Sequence, residues 1–212
     1  MSHILLHPCY FGSVAQFTAI SQANEISFEA CDNYQKQTYR NRTYIYGANG
    51  KLLLNLPILH SGLKGSKRLY KDIKIEHQFN SLKIHWKSFE AAYRTSPFFE
   101  FYEDEFAPLF ENKEKFLMDF NLKCNEFVFD ALGLDYNPQK TNEFNLKLSN
   151  NIIDYRELAT SKSKVYNTEF EKYIQVFSDK HGFLSNLSVL DVLFNLGPSS
   201  LEYLENQKLE LV

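Results

Sequence analysis

The chain has 212 residues, 44% of them hydrophobic and 23% charged, and a formal net charge of -3. This composition is typical of a globular protein and excludes disordered, collagen-like and low-complexity chains. The weakly acidic balance argues against nucleic acid as a partner. No apolar stretch approaches the ~20 residues that cross a bilayer, and the first residues lack the basic flank of a signal peptide. We expect one domain over residues 1–212, in the cytoplasm and without a transmembrane segment.

The three cysteines also indicate a reducing compartment. Cys9, Cys31 and Cys124 form no C-x-x-C pair, and an odd number cannot be fully paired within one chain. We therefore expect free thiols.

The first third of the chain is dominated by strand patterns. Short apolar runs predict strands over residues 4–6, 26–31, 42–46, 52–58 and 72–75. Ser13 is the expected N-cap of one intervening helix, with Gln16 as its capping-box partner. The Asn49-Gly50 pair is a turn signal that joins two strands in a hairpin. The sequence predicts a βαβ-like opening followed by a hairpin, with residues 1–75 supplying most of the sheet.

Beyond residue 79, apolar residues recur with the period of a helix. This spacing predicts helices over residues 82–93 and 116–131, with Gly133 ending the second. Ser188 and Asp191 indicate a capping box for a closing helix. Weaker strand patterns cover residues 144–148, 164–166 and 173–177. The fold class is therefore α/β, with the sheet first and a helical second half.

The turn after the first strand is the leading candidate for a ligand site. In open α/β sheets, ligands bind at the carboxyl ends of strands, beside helix N-termini. His7 can act there as a general base or hold an anion, and Cys9 can be a nucleophile if a cation lowers its pKa. The alternative is structural, with His7 bound to backbone and Tyr10 and Phe11 in the core.

A polar segment after the second strand supplies complementary groups. Arg40 and Arg42 flank Asn41, and two guanidinium groups so spaced can grip a phosphate or carboxylate. Asp32 can act as a base, and the alternative is a solvated loop with ordinary surface charges. The candidate catalytic residues are His7 and Asp32, and the candidate substrate-binding residues are Tyr10, Gln35, Lys36, Arg40, Asn41 and Arg42.

The expected topology brings five of these residues together at one sheet edge. Two parallel strands end there, and an antiparallel third strand would begin there. We expect one electropositive concave site that binds an anionic small molecule. We also expect that replacing either arginine with alanine leaves the fold intact, since both are placed in a surface loop. The five residues are His7, Tyr10, Asp32, Arg40 and Arg42.

Other patterns in the sequence are less informative. His77 and His85 lie eight residues apart without an H-E-x-x-H motif, so we reject a metal site and name no cofactor. Glycine-rich phosphate loops and the G-x-S-x-G elbow are absent. The basic segment at residues 64–71 is either a flap over an anionic ligand or a solvated loop.

Short stretches spread over nearly the whole chain carry a family resemblance. They are His7-Pro8-Cys9-Tyr10-Phe11, Asp32 with Gln35-Lys36, Arg40-Asn41-Arg42, Leu54-Asn55-Leu56-Pro57-Ile58, Trp86 through Tyr93 to Pro97-Phe98-Phe99, and Ser188 with Asp191, Leu193 and Gly197-Pro198. Together they resemble the WbqC-like family of bacterial proteins. Two positions depart from the usual family pattern, because His7 stands in place of Gln and Gly12 in place of a second Pro.

The resemblance implies a role in making O-antigen and other surface polysaccharides, with glycine or aminoacyl transfer as the suggested chemistry. The first hypothesis is a transferase acting on a nucleotide- or lipid-linked sugar, with His7 or Asp32 as base and Arg40 and Arg42 holding the donor. The second is a non-catalytic protein that binds an anionic metabolite or assembles with a partner. The third is an obligate homodimer with an aromatic interface.

Overall fold

The computed structural model describes residues 2–59, 67–111, 113–160, 166–167 and 169–210. Its fold is mixed α/β, as the sequence predicts. The strands are β1 (His3–Leu6), β2 (Glu25–Phe28), β3 (Arg42–Gly47), β4 (Gly50–Asn55), β5 (Gln139–Lys140) and β6 (Ile152–Asp154). The helices are α1 (Val14–Ser21), α2 (Ser81–Tyr93), α3 (Phe99–Phe106), α4 (Pro108–Glu111), α5 (Leu117–Leu132), α6 (Ser178–His181), α7 (Val189–Leu196) and α8 (Ser200–Asn206), with 3-10 turns at Tyr70–Asp72, Arg156–Ala159 and Gly197–Ser199.

The main sheet has four parallel strands in the order β5-β2-β1-β6. Ile4 of β1 lies between Ile26 of β2 and Ile153 of β6. The strands β3 and β4 form a separate antiparallel hairpin. Residues 1–75 supply two of these four strands and the whole hairpin, and so most of the strand residues, as predicted, while the two short edge strands β5 and β6 come from beyond residue 138 and were not predicted. Strands of two and three residues are too short to show an alternating pattern.

Several predicted strands are replaced by other structure. Residues 144–148 form bends and irregular backbone, and residues 173–177 end in a turn. The segment expected over residues 72–75 is a 3-10 turn followed by isolated bridges from Lys74 and Ile75. Residues 164 and 165, and residues 64–66 of the basic segment at residues 64–71, lie outside the described residues.

Each of the two predicted capping boxes forms only one of its two hydrogen bonds. The Ser13 hydroxyl caps α1 by accepting from the Gln16 backbone N–H at 3.4 Å. The Gln16 side chain does not complete the box, because its amide donates to the His7 carbonyl at 2.7 Å. Ser188 likewise caps α7, while the fully buried Asp191 accepts from Tyr93 at 2.9 Å and from two further side chains. In both cases tertiary contacts with distant segments replace the local hydrogen bond.

The aromatic residues pack mainly in the core between the hairpin and the helices. Phe11 lies within 6.1 Å, centroid to centroid, of Phe89, Phe106 and Phe110. Its φ of 42° is in the left-handed region, a strained conformation for a bulky residue. The turn between β1 and α1 is thereby anchored in the helical half.

Two observations bear on the class of the protein. None of the helices in the described ranges is both long and apolar enough to cross a membrane. Cys9, Cys31 and Cys124 are free thiols.

Candidate functional site

Three side chains from separate segments meet at the carboxyl end of the main sheet. Nε2 of His7 lies 3.0 Å from Oδ2 of Asp32, and Nη2 of Arg40 lies 2.7 Å from that nitrogen and 3.0 Å from that oxygen. His7 directly follows β1, and Asp32 comes four residues after its parallel neighbour β2. Parallel pairing places those two strand ends side by side. We call His7, Asp32 and Arg40 the polar triad.

Arg40 is an interior residue. Its side chain is 1% exposed, and Nη1 donates to Oγ1 of Thr38 at 3.4 Å. Cζ lies 5.6 Å from the ring centroid of Tyr70, a cation–π contact. The expectation that Arg40 can be replaced without loss of stability rests on a surface position, and this burial corrects it. Arg40 reaches the triad from the loop before β3, not from an antiparallel strand of the same sheet.

His7 is neutral at pH 7. Burial is the main cause that lowers its pKa, and the charge of Arg40 adds to it, against the opposing effects of Asp32 and the Arg156 carbonyl. A neutral ring carries one proton. With the proton on Nε2, His7 donates to Asp32; with the proton on Nδ1, which lies 3.4 Å from the Arg156 carbonyl, Nε2 accepts from Arg40. The triad therefore couples the tautomer of His7 to its two charged neighbours.

Asp32 is ionised at neutral pH. Burial alone would raise its pKa, but the hydrogen bond and electrostatic interaction with His7, the charge of Arg40 and the Asn33 N–H outweigh burial and hold the pKa below its usual value. The Asn33 N–H donates to Oδ1 at 2.6 Å. The Asp32 side chain is 11% exposed, against 3% for His7. Asp32 is thus the member of the triad with the most access to solvent.

A second buried ion-pair network lies at the same sheet edge and was missed by sequence reasoning. Glu29 is fully buried, accepts from Thr141 at 2.7 Å and pairs with Nη1 of Arg156 at 3.3 Å. Arg156 also grips Asp154 with two N–H groups at 2.9 and 2.6 Å. The sequence pattern extends the second strand to residue 31 and so places Glu29 inside a strand. The short strand β6, which precedes Arg156, is not predicted.

Tyr10 and Cys9 do not join the triad. Tyr10 is fully buried, and its hydroxyl is hydrogen-bonded to Nδ1 of His85 at 2.9 Å and to no triad member among the described residues. Its place among the substrate-binding residues stays a prediction. Burial raises the pKa of the Cys9 thiol to about 12, although the charge of Arg40 opposes this. Cys9 therefore stays protonated and cannot supply a thiolate nucleophile.

Lys36, Asn41 and Arg42 line a cavity of about 410 Å³, with Tyr34 among the other lining residues. Nε of Arg42 and Oδ1 of Asn41 are buried and have no hydrogen-bond partner among the described residues. The Asn41 side-chain amide donates to Oδ1 of Asn55 at 3.1 Å and to the Leu56 backbone carbonyl at 2.9 Å, which fixes its orientation. Two consecutive residues that line the cavity therefore each carry a buried polar atom without a partner among the described residues.

The polar triad and this cavity are connected by two tyrosine rings. The centroid of Tyr34 lies 6.5 Å from that of Tyr70, whose ring lies 6.4 Å from His7. Burial raises the pKa of Tyr34 to about 12, against the opposing charges of Arg40, Arg42 and a third arginine. The structure thus divides the predicted single site into a buried triad and an adjacent cavity. Gln35 is exposed and is not a lining residue.

The family comparison gives one match. The model of the WbqC-like protein family matches residues 7–160, well over half of the chain, and this range includes the triad, Tyr70 and the cavity. The comparisons with curated proteins and with solved structures give no match.

Proposed function

This chain belongs to the WbqC-like protein family, which is linked to polysaccharide biosynthesis, and from that premise we propose that it is a cytoplasmic transferase acting on a nucleotide- or lipid-linked sugar. The transferred group is small, such as a glycyl or other aminoacyl group. The donor or the acceptor is anionic and occupies the cavity beside Arg42. The observation that carries the proposal is the adjacency of this cavity to the polar triad.

The cavity suits the anionic part of the substrate. Arg42 and Lys36 both line it, and the buried Nε of Arg42 has no partner among the described residues. A buried donor without a partner costs roughly 1–3 kcal/mol, so a phosphate or carboxylate that accepts from it gains affinity. Asn41 offers its free Oδ1 to a hydroxyl or amino hydrogen of the same ligand.

The triad suits proton transfer from the attacking hydroxyl or amine. His7 is neutral and can take the proton, while ionised Asp32 stabilises the resulting imidazolium. The charge of Arg40 opposes the imidazolium and so lowers the basicity of His7. Asp32 is the alternative base, since it is ionised and its side chain is the most exposed of the three.

Binding is tested by thermal-shift screening of sugar nucleotides, amino acids and acyl carriers. A ligand present at 100 times its dissociation constant adds about 2.7 kcal/mol of stability. We expect an anionic class to raise the melting temperature of the wild type and to lose that effect in Arg42→Ala. Lys87→Ala is the matched control, because it removes one positive charge from an exposed site on α2. An equal response in both variants would contradict a cavity ligand.

Catalysis is tested separately by His7→Gln, which introduces the residue usual in the family. With the ligands found in the screen, group transfer is followed by mass spectrometry. We expect transfer to fall by about 100-fold or more if His7 is the base. Full activity in this variant removes His7 from the mechanism and leaves Asp32 as the base.

A second candidate function is non-catalytic assembly with a partner protein. It is favoured by a cavity of about 640 Å³ between α3 and the end of α5, lined by Phe101, Glu105 and Asp130 among others. Phe101 is 72% exposed, as expected for a contact residue. Pull-down with the wild type and with Phe101→Ser distinguishes this function, since the variant leaves the triad intact.

A further inference from the structure

We propose that Asn121 is a positioning residue for the polar triad, because its side-chain amide joins the loop that carries His7 to the backbone of Arg40. Any effect of this residue on catalysis rests on the proposed function. The geometric role does not, since it concerns only how two triad members are held.

The Asn121 amide contacts three oxygen atoms from distant segments. Asn121 lies on α5 and is fully buried. Its Nδ2 lies 2.6 Å from the Arg40 carbonyl, 2.5 Å from the Tyr70 hydroxyl and 3.4 Å from the Pro8 carbonyl. Arg40 and Pro8 are 81 and 113 positions away in sequence. One side chain therefore connects both segments that build the triad.

Tyr70 carries the link to the His7 loop. Nδ2 has two hydrogens, and the two shortest contacts, to Arg40 and Tyr70, account for both. The Tyr70 hydroxyl then donates its own hydrogen to the Pro8 carbonyl at 2.6 Å. The ring of the same residue lies 6.4 Å from His7 and 5.6 Å from Cζ of Arg40. Asn121 and Tyr70 thus hold the triad through backbone and ring contacts together.

The position requires a hydrogen-bond donor. Oδ1 of Asn121 has no partner among the described residues, whereas Nδ2 faces only oxygen atoms. A carboxylate would place a second oxygen against the Arg40 carbonyl, and an alanine would leave that carbonyl and the Tyr70 hydroxyl without their donor. Either change frees Arg40 to move away from Nε2 of His7.

The titration of His7 reports this movement. The groups that face its ring are Asp32, Arg40, the Arg156 carbonyl and, at longer range, Asp154. The charge of Arg40 is one cause of the lowered pKa of His7. Loss of the Arg40 contact must therefore raise the pKa of His7 towards its ordinary value.

The matched control is Asn125, one turn further along α5. Its amide is equally buried and donates to the Cys9 carbonyl at 3.0 Å and to the Asn121 carbonyl at 2.6 Å. It thus ties the same loop to the same helix, with no contact to Arg40 or Tyr70 among the described residues. Asn125→Ala removes a comparable hydrogen bond without touching the link to Arg40.

The experiment is a nitrogen-15 NMR titration of the histidine rings in the full chain, with the His7 signals assigned by His7→Gln. We expect Asn121→Ala to raise the titration midpoint of His7 by about half a pH unit or more and to shift its tautomer signals. Asn125→Ala should leave both unchanged, although both variants lower the melting temperature. Equal His7 signals in the two variants, whether shifted or not, would overturn the positioning role.

If Asn121→Ala does not fold, Tyr70→Phe makes the same test. It keeps the ring beside His7 and removes only the hydroxyl between Asn121 and Pro8. We expect Tyr70→Phe to raise the titration midpoint of His7 as well. An unchanged midpoint in this variant contradicts the proposal. A shifted titration midpoint of His7 supports the positioning role even when no ligand raises the melting temperature in the thermal screen. That combination counts against the proposed function alone, so failure of one proposal can be told apart from failure of the other.

Discussion

Nε2 of His7 and Nη2 of Arg40 lie 2.7 Å apart, although 33 positions separate the two residues. A permanent cation thus contacts a neutral ring, and ionised Asp32 lies 3.0 Å from both atoms. Arg42, only two residues beyond Arg40, lines the neighbouring cavity. The two arginines therefore differ in what they contribute to the free energy of unfolding, and single substitutions can measure each contribution.

Arg40→Ala is expected to destabilise the protein by about 3–5 kcal/mol, because it leaves the buried Asp32 charge without its cation. Arg42→Ala is expected not to destabilise the protein, since Arg42 has no ion-pair partner among the described residues and its buried Nε has no hydrogen-bond partner there. Urea unfolding of both variants at pH 7 measures the difference. Similar stabilities would show that the Arg40 contacts contribute little to folding.

Gly12→Ala is expected to disturb the His7 loop through Gln16. A Cβ at position 12 would lie 2.1 Å from Oε1 and 2.8 Å from Cδ of Gln16, whose amide donates to the His7 carbonyl. The overpacking should cost about 1–3 kcal/mol. In a Gln16→Ala background the same change should cost about 1 kcal/mol less, because the clashing atoms are gone. Additive effects in this double-mutant cycle would exclude the clash as the cause.

The stability of the protein should fall between pH 6.5 and pH 4 because of His85. Burial lowers the pKa of His85 to about 4, so within this range the unfolded chain binds a proton that the folded chain does not. The free energy of unfolding then decreases with falling pH, by about 3 kcal/mol in total. His85→Gln should reduce this dependence in urea titrations, and the lowered pKa of the buried His7 should leave a remainder of the same sign. His181→Gln is the control at an exposed site and should leave the slope unchanged.

Asp191 should contribute a pH dependence of stability opposite in sign to that of His85. Burial raises its pKa despite hydrogen bonds from Tyr173 at 2.5 Å, Gln175 at 2.8 Å and Tyr93 at 2.9 Å. A raised pKa stabilises the folded state at low pH, and this stabilisation is lost as pH rises through the folded value.

We therefore expect Asp191→Asn to gain stability relative to the wild type between pH 4 and pH 7. Urea unfolding at several pH values in this range measures that difference. A difference between the two proteins that stays constant with pH would contradict the raised pKa.

Elements whose signals are local can be predicted from the sequence alone. The Ser13 cap, the Asn49-Gly50 turn and the end of α5 at Gly133 all lie where the pattern predicts them. Each depends on neighbouring residues, whose preferences for caps, turns and left-handed backbone act within a few positions. The same local reasoning placed His7 and Asp32 at adjacent strand ends, and the structure brings them within hydrogen-bond distance.

Which candidate residues share a site depends on the packing of distant segments. Arg40 is buried beside His7 while Arg42 lies in the cavity, and Tyr10 pairs with His85 instead. These outcomes depend on contacts between segments tens of residues apart, because buried polar groups take whichever partners packing brings within reach. Asn121 shows this most clearly, since nothing near it in sequence indicates that its amide will hold the Arg40 backbone.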